Sequence, residues 1–161
     1  MPVATRIEEV RNEVTGLAGS APTAQDLMRQ MVDLLHARML KYNWVGFYML
    51  EPGAQPPMLA LGAFAGAMTP HTRIPLDQGI CGAAASSGQM VVVDDVGKDP
   101  RYLACSLETK SEIVVPVFVH GKVVGELDID SHFPAAFAAE DQDLVQHCAA
   151  VIGAKLEKSG Q

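Results

Sequence analysis

At 161 residues, 48% of them hydrophobic and 19% charged, the chain has the composition of one globular domain and not of a disordered or fibrous protein. Its 19 acidic residues against 12 basic ones give a net charge of −7. This balance argues against a nucleic-acid or anionic-membrane partner, because phosphate groups are held mainly by clustered Lys and Arg.

Targeting signals and cysteine usage predict the compartment. The longest uncharged apolar stretches fall far short of the roughly 20 residues that span a bilayer, and the first residues lack the apolar segment of a secretory signal. Three cysteines make an odd count without CxxC spacing. We therefore expect a cytoplasmic protein whose thiols are reduced at rest.

The first half of the chain predicts two helices and a hairpin. Apolar residues at three- and four-residue intervals predict an N-terminal helix over residues 1–19. Thr23 suits the N-cap of a second amphipathic helix. Residues 44–50 and 58–66 are rich in strand-forming residues and flank a Gly/Pro turn, which predicts a hairpin.

The second half begins with a long segment punctuated by Gly and Pro, residues 67–89, which predicts a functional loop carrying a short helix near 81–87. A strand is expected over 90–96. The clearest hairpin joins residues 111–119 to 122–131 through His120 and Gly121. A last helix is expected to begin near Glu140, and residues 157–161 are expected to form a disordered tail.

This order of elements predicts a single α+β domain over residues 1–161. A largely antiparallel sheet would carry helices on one face, and the long loop would cover the other face. The space between loop and sheet is the natural place for a ligand pocket.

Acidic residues in the clear hairpin predict a site. Asp128 and Asp130 alternate with apolar residues, so both point away from the core, and Asp is a poor strand former. A strict two-residue turn would direct Glu112 away from them, whereas a one-residue bulge would bring it to their face. Because Pro116 and Gly125 would face each other and both mark bulges, we predict a bulge near them and a cluster of three carboxylates.

The three cysteines differ in their surroundings. Cys105 follows a polar loop, where Arg101 and Lys110 are expected to lower its pKa toward a reactive thiolate. Cys81 lies where the short helix begins, and the free amides there would also favour a thiolate. Cys148 falls on the apolar stripe of the last helix and is assigned to the core.

Other chemistries find less support. His71, Cys81, Cys105 and His132 contain no local ligand pair, so no metal site is predicted. Acyl transfer would need an oriented histidine, for which there is no motif. Two thiols near several carboxylates favour redox exchange, in which a thiolate attacks an oxidised sulfur and a second thiol closes a disulfide.

The blocks "YNWVGFYML", "RIPLDQGICGAA", "LACS", "SEIVVPV" and "GELDIDS" resemble, in order and spacing, the free methionine-R-sulfoxide reductases, a branch of the GAF-domain fold, over residues 23–156. The resemblance implies a GAF-like six-stranded antiparallel sheet, a homodimer and a closed pocket for one free amino acid. It also implies reduction of free L-methionine-R-sulfoxide through a cysteine sulfenic acid. The implied reductant is an external, thioredoxin-like thiol, with no other cofactor.

The resemblance also implies roles for the acidic and thiol groups. Cys105 matches the catalytic cysteine of the family, and Cys81 matches the second cysteine of its motif. Glu112, Asp128 and Asp130 match carboxylates that hold the substrate ammonium and assist at the sulfoxide oxygen.

The aromatic and hydroxyl positions complete the expected site. Trp44 and Tyr48 match aromatics that wall the methyl-sulfinyl group, and Ser131 is a further expected substrate contact. The chain departs from the family by having His71 in place of a resolving cysteine and Ser106 in place of an Asp, and by reading "DVGKDPRYLAC" where the family has a loop that contains His and Gly. Cys81 or an external thiol would then resolve the sulfenic acid. The alternative is a non-catalytic GAF module that binds a small molecule or senses oxidants.

Overall fold

The computed structural model describes residues 3–103 and 107–160. Its helices are α1 Val3–Ser20, α2 Ala24–Arg38, α3 Gly79–Ser87 and α4 Ala139–Lys158. Its strands are β1 Trp44–Leu50, β2 Met58–Ala65, β3 Arg73–Pro75, β4 Val91–Val93, β5 Ser111–Val119 and β6 Lys122–Ser131. Within these ranges no helix is both long and apolar enough to cross a bilayer.

The six strands form one antiparallel sheet in the order β3-β2-β1-β6-β5-β4. The α+β class and the six-stranded antiparallel sheet are therefore confirmed. Strand β3 lies inside the segment that was predicted as a loop, and β4 is shorter than predicted because the chain turns into a 3-10 helix at Val96–Lys98. The central strands β1 and β6 position the site.

One face of the sheet packs against α2 and α4, and α1 packs in turn on these two helices. The apolar side chains between them are almost all inaccessible to solvent, among them Leu27, Phe47, Ile129 and Ile152. Cys148 lies in this layer, as predicted, and burial raises the pKa of its thiol to about 12. This face supplies the main hydrophobic stabilisation of the domain.

The opposite face is covered by α3 and the segments around it. A second apolar layer there includes Trp44, Tyr48, Ile80 and Val114. Helix α3 packs on β5 and β6, as the prediction of a covering loop segment requires. Polar side chains on this face are therefore buried and not solvated.

A bulge in the β5–β6 hairpin sets which side chains share that face. Next to the turn, Phe118 is opposite Val123, whereas Val117 is opposite Gly125, so β6 contains one extra residue. A Cβ at Gly125 would lie 2.7 Å from the carbonyl oxygen of Tyr48, which explains the need for glycine beside the bulge. The predicted bulge is confirmed.

The end of the chain differs from the prediction. Helix α4 continues to Lys158, so residues 157 and 158 are helical where a disordered tail was expected. The reason is that Leu156 is buried in the core and that the Ser159 hydroxyl donates to the carbonyl of Lys155 at 2.7 Å. These contacts hold the last turn in place.

Candidate functional site

Three neighbouring strands present their side chains to the covered face in matched rows. On β6, Asp128 and Asp130 alternate with side chains that enter the core, as the period of a strand requires. Across the β5–β6 ladder, Glu112 is directly opposite Asp130. Across the β1–β6 ladder, Trp44 is opposite Asp130. Directly opposed side chains have Cβ atoms about 5 Å apart, so the strands bring these groups together.

The three predicted carboxylates form a buried cluster. Glu112, Asp128 and Asp130 are each no more than 5% exposed. Burial raises the pKa of all three, and the neighbouring carboxylates add to the increase for Glu112 and Asp130. One oxygen of Asp128 and one of Asp130 have no hydrogen-bond partner among the described residues. Such a cluster must share protons or acquire a cation.

A fourth carboxylate escaped the sequence prediction. Glu126 lies two residues before Asp128 on the same face, opposite Tyr48, and is completely buried. Neither of its oxygens has a hydrogen-bond partner among the described residues, and burial raises its pKa well above the usual range. The alternation in "GELDIDS" was the available signal, but only the aspartates were interpreted as a site.

Cys81 lies on α3, directly above the cluster. Its Sγ donates to Oδ2 of Asp128 at 3.4 Å. Burial first, and then the nearby carboxylates of Asp128, Glu126 and Glu112, raise the pKa of the thiol well above its usual value. The predicted thiolate at Cys81 is therefore wrong, because burial and negative neighbours outweigh the favourable amides at the start of the helix.

The predicted aromatic wall stands beside the carboxylates. The rings of Trp44 and Tyr48 lie 6.1 Å apart, and Trp44 also stacks on Phe64 at 5.8 Å. The indole Nε1 of Trp44 donates to the carbonyl of Ala67 at 3.0 Å, and the hydroxyl of Tyr48 donates to the carbonyl of His71 at 2.7 Å. These bonds hold both rings in fixed orientations.

Gly46 allows Trp44 to lie across β1. A Cβ atom at this position would come within 2.3 Å of Cη2 of the indole and 3.1 Å of Cβ of Phe64. The residue opposite Gly46 on β6 is Asp128. The indole of Trp44 therefore occupies the volume that a side chain at this position would need, next to the middle of the carboxylate cluster.

Two cavities border the carboxylates and the aromatic wall. An open pocket of about 620 Å³ is bordered by Trp44, Asp130 and His132. A much smaller cavity of about 20 Å³ lies beside Cys81 and Asp128. The first has the size of an ordinary small-molecule site, whereas the second has room for only one water or ion.

Ser131 does not join the site. It follows Asp130 on β6, so its side chain points to the other face, and its Oγ accepts from the amide of Phe133 at 3.1 Å. It is paired with Ser111, whose hydroxyl donates to the carbonyl of Phe133 at 2.6 Å. The predicted substrate contact at Ser131 is therefore not supported by its position, which serves the turn after β6.

Cys105 lies outside the described residues, so its predicted environment is not observed. Arg101, one of the two cations expected to activate it, binds Asp99 in its own loop through two bonds of 2.7 and 3.0 Å. That pairing raises the pKa of the Arg101 guanidinium and lowers that of the Asp99 carboxyl, and it diminishes the positive charge that Arg101 presents to other groups.

The two histidines considered for the site lie at different depths. His71 borders the small cavity together with Cys81, in the position where the resemblance expects a resolving cysteine. His132 borders the open pocket, where its Nδ1 lies 3.4 Å from Oε2 of Glu108 and its amide donates to Oδ1 of Asn43 at 2.7 Å. The described residues thus place a histidine at each of the two cavities.

Comparison with known proteins identifies the family. Residues 23–156 match the GAF domain family. The chain is 37% identical over 125 residues to the free methionine-R-sulfoxide reductase of Escherichia coli K12, which covers 78% of this chain and 70% of that protein.

Two solved structures extend this relationship. The free methionine-R-sulfoxide reductase of Neisseria meningitidis, solved in complex with its substrate, has a TM-score of 0.91 at 29% identity, with 100% of this chain and 95% of that chain covered. The type II enzyme of Thermoplasma acidophilum has a TM-score of 0.78 at 40% identity, with coverage of 84% and 93%. The chain therefore belongs to the GAF-domain family, in the branch that contains the free methionine-R-sulfoxide reductases.

Proposed function

We propose that this protein reduces free L-methionine-R-sulfoxide to methionine. The observation that carries the proposal is the buried cluster of Glu112, Asp128 and Asp130 beside the aromatic wall of Trp44 and Tyr48. The relatives named above, two of them free methionine-R-sulfoxide reductases solved as structures, support the same reaction. The protein is expected to work in the cytoplasm as a homodimer.

The carboxylate cluster suits the ammonium group of a free amino acid. Buried carboxylates without a cation are unfavourable, and an ammonium bound among them would satisfy the unpartnered oxygens of Asp128 and Asp130. A methionine residue within a peptide has no such charge at its nitrogen. The cluster therefore favours the free amino acid over methionine sulfoxide in proteins.

The chemical step is assigned to Cys105. Its thiolate attacks the sulfoxide sulfur and forms an S–S bond, while the protonated oxygen leaves as water as the S–O bond breaks. Water then attacks the cysteine sulfur, which breaks the S–S bond, releases methionine and leaves a cysteine sulfenic acid. The substrate sulfur gains two electrons, and the cysteine sulfur loses two. Because their pKa values are raised, Glu112 or Asp128 can carry the proton that the oxygen needs as the S–O bond breaks.

A thiol then condenses with the sulfenic acid, releasing water and forming a disulfide that a second thiol reduces. The raised pKa of Cys81 makes it a poor attacking thiolate in the closed pocket. We therefore propose that an external, thioredoxin-like dithiol is the principal reductant. No other cofactor is required by this scheme.

The test is turnover of free L-methionine-R-sulfoxide against the S epimer, with dithiothreitol as the reductant. The wild type should be R-selective, Cys105→Ser should be inactive, and Cys81→Ser should retain activity because dithiothreitol bypasses a protein resolving thiol. Cys148→Ala, which removes a core thiol, is the matched control. Absence of turnover by folded wild-type protein would favour the non-catalytic, ligand-binding module instead.

A further inference from the structure

We propose that the small cavity beside Cys81 is a binding site for a zinc-class divalent cation, held by Cys81 Sγ and by one carboxylate oxygen each from Glu112 and Asp128. One ligand atom of each residue lies within 4.8 Å of the other two, and all three residues are buried. This set differs from the histidine and cysteine set considered from the sequence, because it depends on the β5–β6 register and on the position of α3.

The separation of Cys81 and Asp128 is close to that of two ligands on one zinc ion. Tetrahedral zinc with bonds of about 2.3 Å to sulfur and about 2.1 Å to oxygen separates the two ligand atoms by about 3.6 Å. The distance between Cys81 Sγ and Asp128 Oδ2 is 3.4 Å. An ion can therefore bridge these two atoms with little movement of α3 relative to β6.

A further buried carboxylate next to the three ligands supports a cation at this position. Glu126 is not one of the three proposed ligands, yet it is completely buried next to the Cys81 thiol, and neither of its oxygens makes a hydrogen bond of normal geometry within the described residues. The second oxygen of Asp128 is also unpartnered there. These oxygens could orient a bound cation or a water molecule on it.

The small cavity has the right size and lining. Its volume of about 20 Å³ is bordered by Cys81, Glu112 and Asp128, together with the ring of Tyr48. Such a space accepts a single water or ion but not an amino acid. Within the described residues, the ion pairs formed by Lys, Arg and His do not include any of these carboxylates.

The ligand set selects the class of cation. A thiolate favours zinc, cobalt or cadmium over magnesium and calcium, which prefer oxygen ligands alone. The same carboxylates are proposed above to bind the substrate ammonium, so cation and substrate would exclude each other. The cation site itself does not depend on the proposed reaction and can be tested without turnover.

The test is spectroscopic titration of the reduced protein with Co²⁺, followed by displacement with Zn²⁺. We expect one Co²⁺ per chain and an intense sulfur-to-cobalt charge-transfer absorption, which carboxylates alone do not produce. Cys81→Ser should abolish this absorption, whereas Cys148→Ala should leave it unchanged. Its persistence in Cys81→Ser, or the absence of stoichiometric binding, would overturn the proposal.

A second variant keeps the test decisive if Cys81→Ser does not fold. Glu112→Gln retains every thiol and changes one proposed oxygen ligand, and it should weaken Co²⁺ binding by more than about tenfold. Unchanged affinity in folded Glu112→Gln would reject the site. Cys105→Ser completes the series, since loss of the absorption in that variant alone would place the cation on another thiol and would also reject the proposal.

Discussion

The two faces of the sheet are formed by the same strands, but one buries apolar side chains and the other buries carboxylates. On β6, Leu127 and Ile129 enter an apolar layer beneath the helices, while Asp128 and Asp130 enter an equally buried layer beneath α3. Burial stabilises the first pair and disfavours the charged form of the second. The domain therefore gains stability on one face and keeps a cluster of buried carboxylates on the other.

The largest effect is expected on the helix face. Ile129→Ala should lower the free energy of unfolding by about 2–5 kcal/mol, because Ile129 is completely buried and its truncation leaves a cavity. Urea unfolding measures this loss. A decrease below about 1 kcal/mol would mean that this layer is not the close-packed core that its burial indicates.

A change at the pocket face should disturb the aromatic wall. Gly46→Ala should cost about 1–3 kcal/mol, because the new Cβ would overlap the ring of Trp44. Gly62→Ala is the matched control on β2, since its Cβ would come no nearer than 3.5 Å to the carbonyl of Phe47. Equal stability of the two variants, together with unchanged tryptophan fluorescence, would contradict the observed packing.

The buried carboxylates of the pocket face should make the free energy of unfolding depend on pH, which the apolar face does not. The pKa of Glu126 is raised by burial, so above its unfolded-state pKa of about 4.3 the folded chain binds more protons than the unfolded chain, and stability falls as pH rises. Glu126→Gln removes this contribution. Its stability relative to wild type should therefore increase with pH, by at most about 1.4 kcal/mol per pH unit, until the folded-state pKa is passed.

Urea unfolding of both proteins at pH 5 and pH 8 measures that difference. The other three carboxylates are present in both proteins, so their shared pH dependence largely cancels in the comparison. A stability difference that is independent of pH would show that Glu126 titrates similarly in the folded and unfolded chains.

Strand positions and the alternation of side chains could be predicted from the sequence. β1, β5 and β6 have the predicted limits because β-branched and aromatic residues lie between clear turn signals. The bulge followed from Pro116 and Gly125, since neither residue suits a regular ladder. With that bulge, local rules were enough to bring Glu112 to the face of Asp128.

The environment of the pocket could be predicted less well from the sequence, because it depends on contacts between distant parts of the chain. Cys81 was predicted as a thiolate from its place at a helix start, but the decisive neighbours lie on strands more than 30 residues away. Glu126 was not among the predicted site residues. A lone Glu in a strand is usually solvated, and its burial depends on the cover that α3 gives to this face of β6. Tertiary burial, which these local patterns do not report, decided both cases.

The most direct test of the account is the binding of L-methionine-R-sulfoxide to Glu112→Gln, measured by calorimetry in the non-turning-over Cys105→Ser background. We expect affinity more than about tenfold weaker than that of Cys105→Ser alone, because one of the buried carboxylates that hold the ammonium is removed. A substrate analogue lacking the amino group should bind both proteins equally. Unchanged affinity of the folded Glu112→Gln protein for the sulfoxide would contradict the claim that the carboxylate face recognises a free amino acid.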